Sequence, residues 1–241
     1  MIPWGGACLF LCLTLPAWAQ SVVTVPVTDT SAPESPLQIT DSITFTDRIA
    51  GNSVASSSNY ALTATNISGK AIVLLVVRFS EAGPRGGGIL HDIQRDDFFR
   101  DNEIAPEESF LLDRSYGGIQ VYSVTNPLDS GNDPQAELRV SYCEFLDGST
   151  YGERSQAADI LTTRSLIFEH LRQLDAADAD NTFLRLLAQK LKSARADRFF
   201  ETLRSLQTSR GTKAARAQVH HKLGNAERHL TAMRAAAAES E

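Results

Sequence analysis

The stretch Ala71-Ile72-Val73-Leu74-Leu75-Val76-Val77 decides the fold of this chain. It is apolar at every position, whereas a strand with one face in water alternates between apolar and polar residues. Leaving alternate side chains in water would forgo about 1.5–3 kcal/mol for each large one. Both faces of this strand should therefore be covered, one by an opposing sheet and the other by a different element.

The residues on both sides of this strand have the features of an all-β domain. Short runs rich in Val, Ile, Thr, Tyr and Phe are separated by turn signals. About seven such strands in roughly 110 residues are typical of an immunoglobulin-like sandwich. The residues and segments that define the other strands are Ile39, Ile43 and Phe45; Tyr60, Leu62 and Ala64; Glu108–Leu112; Gly118–Val124; and Ala136–Phe145.

The residues after Gly152 follow a helical period instead. A break in the apolar stripe is predicted near Lys192–Asp197. After Gly211, apolar residues spaced alternately by four and three form a narrow coiled-coil-like seam, which Gly224 weakens. The helical stripes are Ile160, Leu161, Ile167, Phe168, Leu171 and Leu174; Leu184, Leu187 and Leu191; Phe199, Leu203 and Leu206; and Ala215, Val219, Leu223, Ala226, Leu230 and Met233.

These patterns predict an α+β fold, in which an N-terminal antiparallel immunoglobulin-like β-sandwich is followed by a helical C-terminal region. The predicted divisions are a signal peptide at 1–19, a linker at 20–37, the sandwich at 38–152 and the helical region at 153–241. The linker is rich in Ser, Thr, Val and Pro, and it also fits a short strand at Val22–Val27.

The first helix is the nearest apolar surface that could cover the second face of the Ala71–Val77 strand. Its Ile160, Ile167, Phe168 and Leu171 need burial, and it follows the last strand after a short turn. We predict that this helix folds back onto the outer face of the sheet. The alternative is an exposed strand that a dimer contact protects.

The charge of the chain is divided unevenly along its length. Residues 20–152 contain 18 acidic and 8 basic side chains, whereas residues 181–238 contain 3 acidic and 12 basic side chains. Such an asymmetry indicates that the two halves are different modules.

The first 19 residues have the features of a cleavable secretory signal peptide. A short apolar core is followed by the small residues Ala17 and Ala19, so cleavage is predicted between Ala19 and Gln20. The mature chain would then act outside the cytoplasm, in the periplasm or as a secreted protein. An uncleaved anchor is the alternative, because no Lys or Arg precedes the core. No later stretch approaches the roughly 20 apolar residues of a transmembrane helix.

Cys143 is the single cysteine of the predicted mature chain, because Cys8 and Cys12 lie in the signal peptide. The mature chain can therefore form no internal disulfide bond. A lone cysteine inside an apolar strand favours a buried, inert thiol, and an intermolecular bridge is the alternative.

The sequence has neither a Gly-x-Ser-x-Gly nor a His-Glu-x-x-His motif, so these two catalytic sites are not predicted. The clustered His220, His221 and His229 lack the spacing of three or four that places ligands on one helical face. We expect these histidines to face solvent. No catalytic residue, cofactor-binding residue or cofactor is assigned.

The acidic stretch His91–Glu103 is the best candidate for a metal site, because hard oxygen ligands in a loop can hold Ca²⁺. Arg95 and Arg100 lie among the acids, and the spacing is not that of a calcium loop. The stretch is therefore interpreted as a solvated loop without a metal. Its candidate ligands are Asp92, Asp96, Asp97 and Asp101.

Basic side chains of the helical region predict a binding surface for an anionic envelope component or an acidic protein. The alternative is that they are ordinary solvated helix faces. The candidate surface consists of Lys190, Lys192, Arg195, Arg198, Arg204 and Arg210, extended by Lys213, Arg216 and Lys222.

Three segments together carry a resemblance to a known class of proteins. They are Asn66–Lys70 leading into the apolar strand, Ile104–Ser109, and Phe145–Gly152 at the end of the last strand. Their order resembles that of uncharacterised exported bacterial proteins with an immunoglobulin-like domain, over roughly Leu37–Gly152. The resemblance implies the sandwich fold, but no activity, cofactor or catalytic residue.

The sequence as a whole predicts an exported, non-catalytic binding or structural protein of the cell envelope, with no nucleic-acid partner. A carbohydrate-binding module is one alternative, for which Tyr116, Tyr122 and Tyr151 are candidate stacking residues. It is weakened because both tryptophans, Trp4 and Trp18, lie in the signal peptide. A secreted hydrolase is the other alternative.

Overall fold

The computed structural model describes residues 19–31, 33–84, 88–123 and 132–239. Within these ranges the chain is α+β, with strands in its first part and helices in its second. The predicted signal peptide lies outside the described residues except for Ala19. The strands are β1 (Ala19–Pro26), β2 (Thr28–Asp29), β3 (Leu37–Ile39), β4 (Ser42–Ala50), β5 (Ser53–Asn66), β6 (Ile72–Ala82), β7 (Gly88–Asp96), β8 (Ser109–Ser123), β9 (Gln135–Phe145) and β10 (Thr150–Gly152). A short 3-10 helix (Arg154–Ala157) precedes α1 (Ala158–Asp175), α2 (Asp180–Ala188), α3 (Ala194–Arg210) and α4 (Thr212–Glu239).

The strands form two five-stranded sheets that share one hydrophobic core. The first sheet has the order β1-β4-β5-β3, with β8 along the other edge of β5. The second has the order β10-β9-β6-β7, with β2 beside β9. The strand pairs of the described residues are antiparallel apart from β2 and β9, which run parallel. Ile43 and Leu62 of the first sheet and Leu75 and Leu138 of the second lie in the shared core.

The expected linker at 20–37 contains strand β1 of the first sheet, which overlaps the short strand that the sequence also fits at Val22–Val27. Strand β1 pairs with β4 from Ala19 opposite Ile49 to Pro26 opposite Ser42. Its valines alternate, and Val25 packs against the shared core while Val22 remains exposed. Pro26 is the last residue of this edge strand, where a residue without an N–H group is tolerated because no ladder hydrogen bond is lost.

Strand β8 joins the two strands expected at Glu108–Leu112 and Gly118–Val124. It pairs with β5 along nearly the whole length of both strands. Register shifts between Ser57 and Asn59 and between Leu62 and Thr63 of β5 interrupt the ladder locally. The glycine pair at 117–118 therefore lies within one strand and does not end it.

Both faces of β6 are covered, as the unbroken apolar run predicts. Leu75 and Val77 face the core between the sheets. Leu74 and Val76 pack on the opposite side with Ile160 of α1, together with Tyr142 and Ala157. The prediction that the first helix folds back onto this sheet is therefore confirmed.

The four helices are not separate from the sheets, because they share a second core with them. Val73 of β6 and the neighbouring Phe98 and Phe99 pack with Leu171 of α1 and Phe200 of α3 in this core. The predicted seam of α4 lines the same core, with Ala215, Val219, Leu223 and Ala226 buried and Leu230 and Met233 packed against it.

Local sequence determines where the helices begin and end. The break predicted near Lys192–Asp197 overlaps the end of the connection between α2 and α3, residues 189–193, where the Ser193 side chain accepts a hydrogen bond from the N–H of Ala196. Gly211 has a φ of 85° and separates α3 from α4, a conformation that few residues other than glycine adopt readily.

Candidate functional site

The acidic segment, residues 92–103, pairs its carboxylates with arginines. Asp92 lies 3.0 Å from Arg78, Asp97 lies 2.5 Å from Arg95, and Asp101 lies 2.5 Å from Arg228 of α4. Among the described residues, no group of three or more His, Cys, Asp or Glu side chains is arranged to hold a metal ion. The candidate ligands are therefore divided among separate ion pairs.

Asp96, the fourth candidate ligand, belongs to a buried ion triad centred on Arg164 of α1. Arg164 Nη1 donates to Glu144 Oε1 at 2.7 Å, and Nη2 donates to Asp96 Oδ1 at 2.8 Å. The guanidinium lies 4.2 Å from the ring centroid of Phe98, and Arg164 is only 7% exposed. Burial alone would lower the pKa of Arg164, but the two carboxylates outweigh it and raise this pKa.

A second polar contact joins α4 to the acidic segment. The ring of His229 is fully buried, with Nδ1 2.8 Å from the carbonyl oxygen of Phe98 and Nε2 2.6 Å from Glu103 Oε1. Arg228 Nη2 donates to the same Glu103 oxygen at 2.8 Å. Burial alone would raise the pKa of the Glu103 carboxyl, but these neighbours hold it below its ordinary value.

The expectation that the clustered histidines face solvent is wrong for His229. Its position next to the apolar seam of α4 directs its ring at Phe98, whose ring centroid is 5.6 Å away. His220 and His221 are exposed as expected, and His220 Nδ1 lies 3.2 Å from Asp175 Oδ1.

A cavity of about 280 Å³ lies between β9, α1 and α4, beside the Arg164 triad. The turn after β9 closes one side, where Gly148 lies against Met233 of α4: a Cβ added at this glycine would be 3.2 Å from the Met233 side chain. The walls are mostly apolar, with charged groups from Glu144, Arg154 and Arg164. The lining residues are Phe98, Glu144, Gly148, Thr150, Arg154, Leu161, Arg164, Ser165, Phe168, Leu230 and Met233.

Four of the predicted binding residues form one exposed group, which we call the basic face. Lys190 and Lys192 lie in the connection between α2 and α3, and Arg195 and Arg198 lie in the first turns of α3. Arg210 is also exposed, but at the opposite end of α3.

Other basic residues of the predicted surface have structural partners, as does Arg195 of the basic face, whose Nη1 donates to Gln94 Oε1 of β7. Arg204 Nη2 donates to Asp197 Oδ1 at 2.9 Å, so Arg204 is removed from the candidate surface. Arg216 pairs with Asp180 and stacks on Phe183, and Lys222 lies over the ring of Phe199. Arg204 Nη1 also donates to the carbonyl oxygen of Leu187 in α2, so all three side chains connect one helix to another.

A separate polar network joins the two sheets. Ser58 of β5 donates to Glu81 of β6 at 2.6 Å, and Asp113 of β8 lies 3.0 Å from His91 Nε2 and 3.2 Å from the Tyr60 hydroxyl. Burial is the main reason that the pKa of Glu81 is raised. The network is built from inward-facing polar positions, which the strand pattern alone did not reveal.

The remaining candidates from the sequence lie apart from these sites. Cys143 is fully buried in the shared core, and burial raises the pKa of its thiol. Tyr151 is half-buried against that core, which limits the ring surface it could offer to a sugar. The side chains of Tyr116 and Tyr122 lie outside the described residues.

The sequence patterns did not identify Arg164 and Glu144 as site residues, although the position of Arg164 in its helix was informative. Arg164 falls between Ile160 and Ile167 on the apolar stripe of α1, where a charged residue must find a buried partner. Glu144 follows Tyr142 and Cys143 in the part of β9, residues 140–145, that is buried on both faces. A charge at each of these positions indicates a buried ion pair, but not which residues form it.

None of the helices in the described ranges is both long and apolar enough to cross a membrane. Comparison with known proteins found no family model, no curated protein and no solved structure that is similar to this chain.

Proposed function

We propose that this chain is an exported, non-catalytic binding protein of the cell envelope, which contacts an anionic envelope component through the basic face. Its two sheets would form an immunoglobulin-like sandwich, and cleavage between Ala19 and Gln20 would release the mature chain. The observation that carries the proposal is the grouping of Lys190, Lys192, Arg195 and Arg198 in exposed positions at one end of α3.

The position of the basic face on its helix supports a role in binding. The N-terminal end of a helix carries partial positive charge, so basic side chains there oppose the macrodipole. The presence of Arg195 and Arg198 in the first turns of α3 does not favour the helix itself. An anionic surface would interact favourably with both the side chains and the helix end.

The ion pairs of the acidic segment support a structural role for the other charged residues. Asp96 and Glu103 hold α1 and α4 against the sheets through Arg164, Arg228 and His229. The four residues of the basic face are exposed, although Arg195 also donates a hydrogen bond to Gln94 of β7.

The cleavage site that we propose is compatible with the fold. Gln20 pairs with Arg48, so the strand β1 would keep its ladder from the first mature residue onwards.

Binding of the full chain to lipid vesicles tests the proposal. We expect retention on vesicles that contain anionic phosphatidylglycerol, little retention on neutral phosphatidylcholine vesicles, and loss of binding as salt shortens the Debye length below about 8–10 Å. Changing Lys190, Lys192, Arg195 and Arg198 to Gln should abolish retention. Equal retention on neutral and anionic vesicles would rule out this function.

A matched variant separates the effect of the basic face on binding from the effect of net charge. The exposed Arg48, Arg139, Arg172 and Arg234 lie elsewhere on the described surface, and changing them to Gln removes the same charge. This variant should bind anionic vesicles nearly as well as the unmodified chain. If both variants lose binding equally, the basic face is not the contact surface.

A further inference from the structure

We infer that the cavity beside Arg164 is a binding site for a small neutral molecule with an apolar body and a carbonyl or hydroxyl oxygen. This site is distinct from the basic face and goes beyond the envelope contact proposed above. The inference rests on the shape and lining of the cavity and on one buried hydrogen-bond donor.

The lining of the cavity is that of a small-molecule site. Phe98, Leu161, Phe168, Leu230 and Met233 supply apolar and aromatic surface from α1, α4 and the acidic segment. Ligand sites are mostly apolar, contain a few polar groups that orient the ligand, and occur preferentially where structural units meet. The volume of about 280 Å³ is sufficient for a small molecule.

The buried donor is the Nε–H group of Arg164. Both terminal nitrogens of this guanidinium donate to carboxylates, but Nε has no hydrogen-bond partner among the described residues. A buried donor without an acceptor is costly, on the order of 1–3 kcal/mol. Arg164 lines the cavity, but Nε itself has less than 1 Å² of accessible surface, so a ligand oxygen accepts this hydrogen bond only when the guanidinium turns toward the cavity.

The charges around the cavity favour a neutral acceptor over an anionic one. Arg164 already has two carboxylate partners, Glu144 and Asp96, and these two charges balance those of Arg164 and of Arg154, which also lines the cavity. A ligand carboxylate beside Arg164 would be repelled by both. A carbonyl or hydroxyl oxygen accepts the Nε–H hydrogen bond without this repulsion.

The neutral fluorescent ketone Prodan tests the inference with the full chain, because its emission reports both an apolar environment and hydrogen bonding to its carbonyl. We expect saturable binding with a blue-shifted emission, and weaker binding of the anionic dye ANS. Ser165 is exposed and lines the cavity, so Ser165→Phe should fill part of it and weaken Prodan binding at least about tenfold, or 1.4 kcal/mol.

The matched control is Ser205→Phe, the same change at an exposed serine of α3 away from the cavity. It should leave Prodan binding unchanged. The ¹⁵N-detected Nε–H signal of Arg164 should also shift when Prodan binds. Absence of saturable binding, equal binding by Ser165→Phe, preference for ANS, or an unmoved Nε–H signal would each overturn the inference.

Discussion

Arg164 shows how one residue can join two halves of a protein. It lies on the buried stripe of α1, yet its guanidinium reaches Glu144 of β9 and Asp96 at the end of β7. Each partner would be costly to bury alone, because a buried charge without a counter-charge loses its hydration. The helix is therefore fixed on the sheet by a polar contact as well as by apolar packing.

We predict that Arg164→Ala destabilises the protein by about 3–5 kcal/mol, because it leaves Glu144 buried without its partner. Urea unfolding measures the change. Arg78→Ala is the control: Arg78 pairs with Asp92, but both side chains are largely exposed. A surface pair of this kind contributes about 0–1 kcal/mol. Equal effects of the two substitutions would contradict the structural role of the triad.

The stability that the contact between α4 and Glu103 contributes depends on pH. The folded-state pKa of this carboxyl lies below its ordinary value, so the unfolded chain binds its proton at a higher pH than the folded chain does. The contact therefore contributes stability above the unfolded pKa, and this contribution is lost as the pH falls through the folded pKa.

We expect Glu103→Gln to be less stable than the unmodified protein at about pH 7, and the difference to shrink as the pH falls below about 4. Urea unfolding midpoints across this range provide the measurement. Glu201→Gln, at an exposed position of α3, should have little effect at either end of the range. A constant difference between Glu103→Gln and the unmodified protein at every pH would refute this account.

The elements themselves were largely predictable, because their periodicities are local. Helices α1 to α4 and the run in β6 lie where the periodicities predict them, except that Leu191 lies beyond the end of α2 and Leu206 is not part of the second core. The segment of strand β1 fitted either a linker or a short strand, because Ser, Thr and Pro mask the alternation of Val23 and Val25. The partners of the acidic segment were not predictable, since Arg164 and Arg228 are far from it in sequence and local patterns carry no such information.

At the scale of the whole molecule, the uneven charge of the sequence has a concrete explanation. The acidic segment and the basic helices meet, and Asp96, Asp101 and Glu103 pair with residues of α1 and α4. The sequence indicated two modules of opposite charge. In the structure the two modules are in contact, and acidic residues of one pair with basic residues of the other across this contact.

We predict that a fragment ending at Gly152 self-associates, because it exposes Leu74 and Val76 on the outer face of β6. Analytical ultracentrifugation measures its association state. The same fragment with Leu74→Thr and Val76→Thr should be largely monomeric, since the exposed surface is then polar. A monomeric fragment with the stability of the full chain would mean that α1 is not part of the core.

The covering of β6 by α1 also has a consequence for the time course of folding. During synthesis, β6 emerges before β7, β8 and β9, and α1 follows only after all of them. The sheets can pair while Leu74 and Val76 are still open to solvent, and partly folded chains with such surfaces are prone to aggregate. The packing of α1 on β6 therefore ends the period in which the newly made chain is most prone to aggregate.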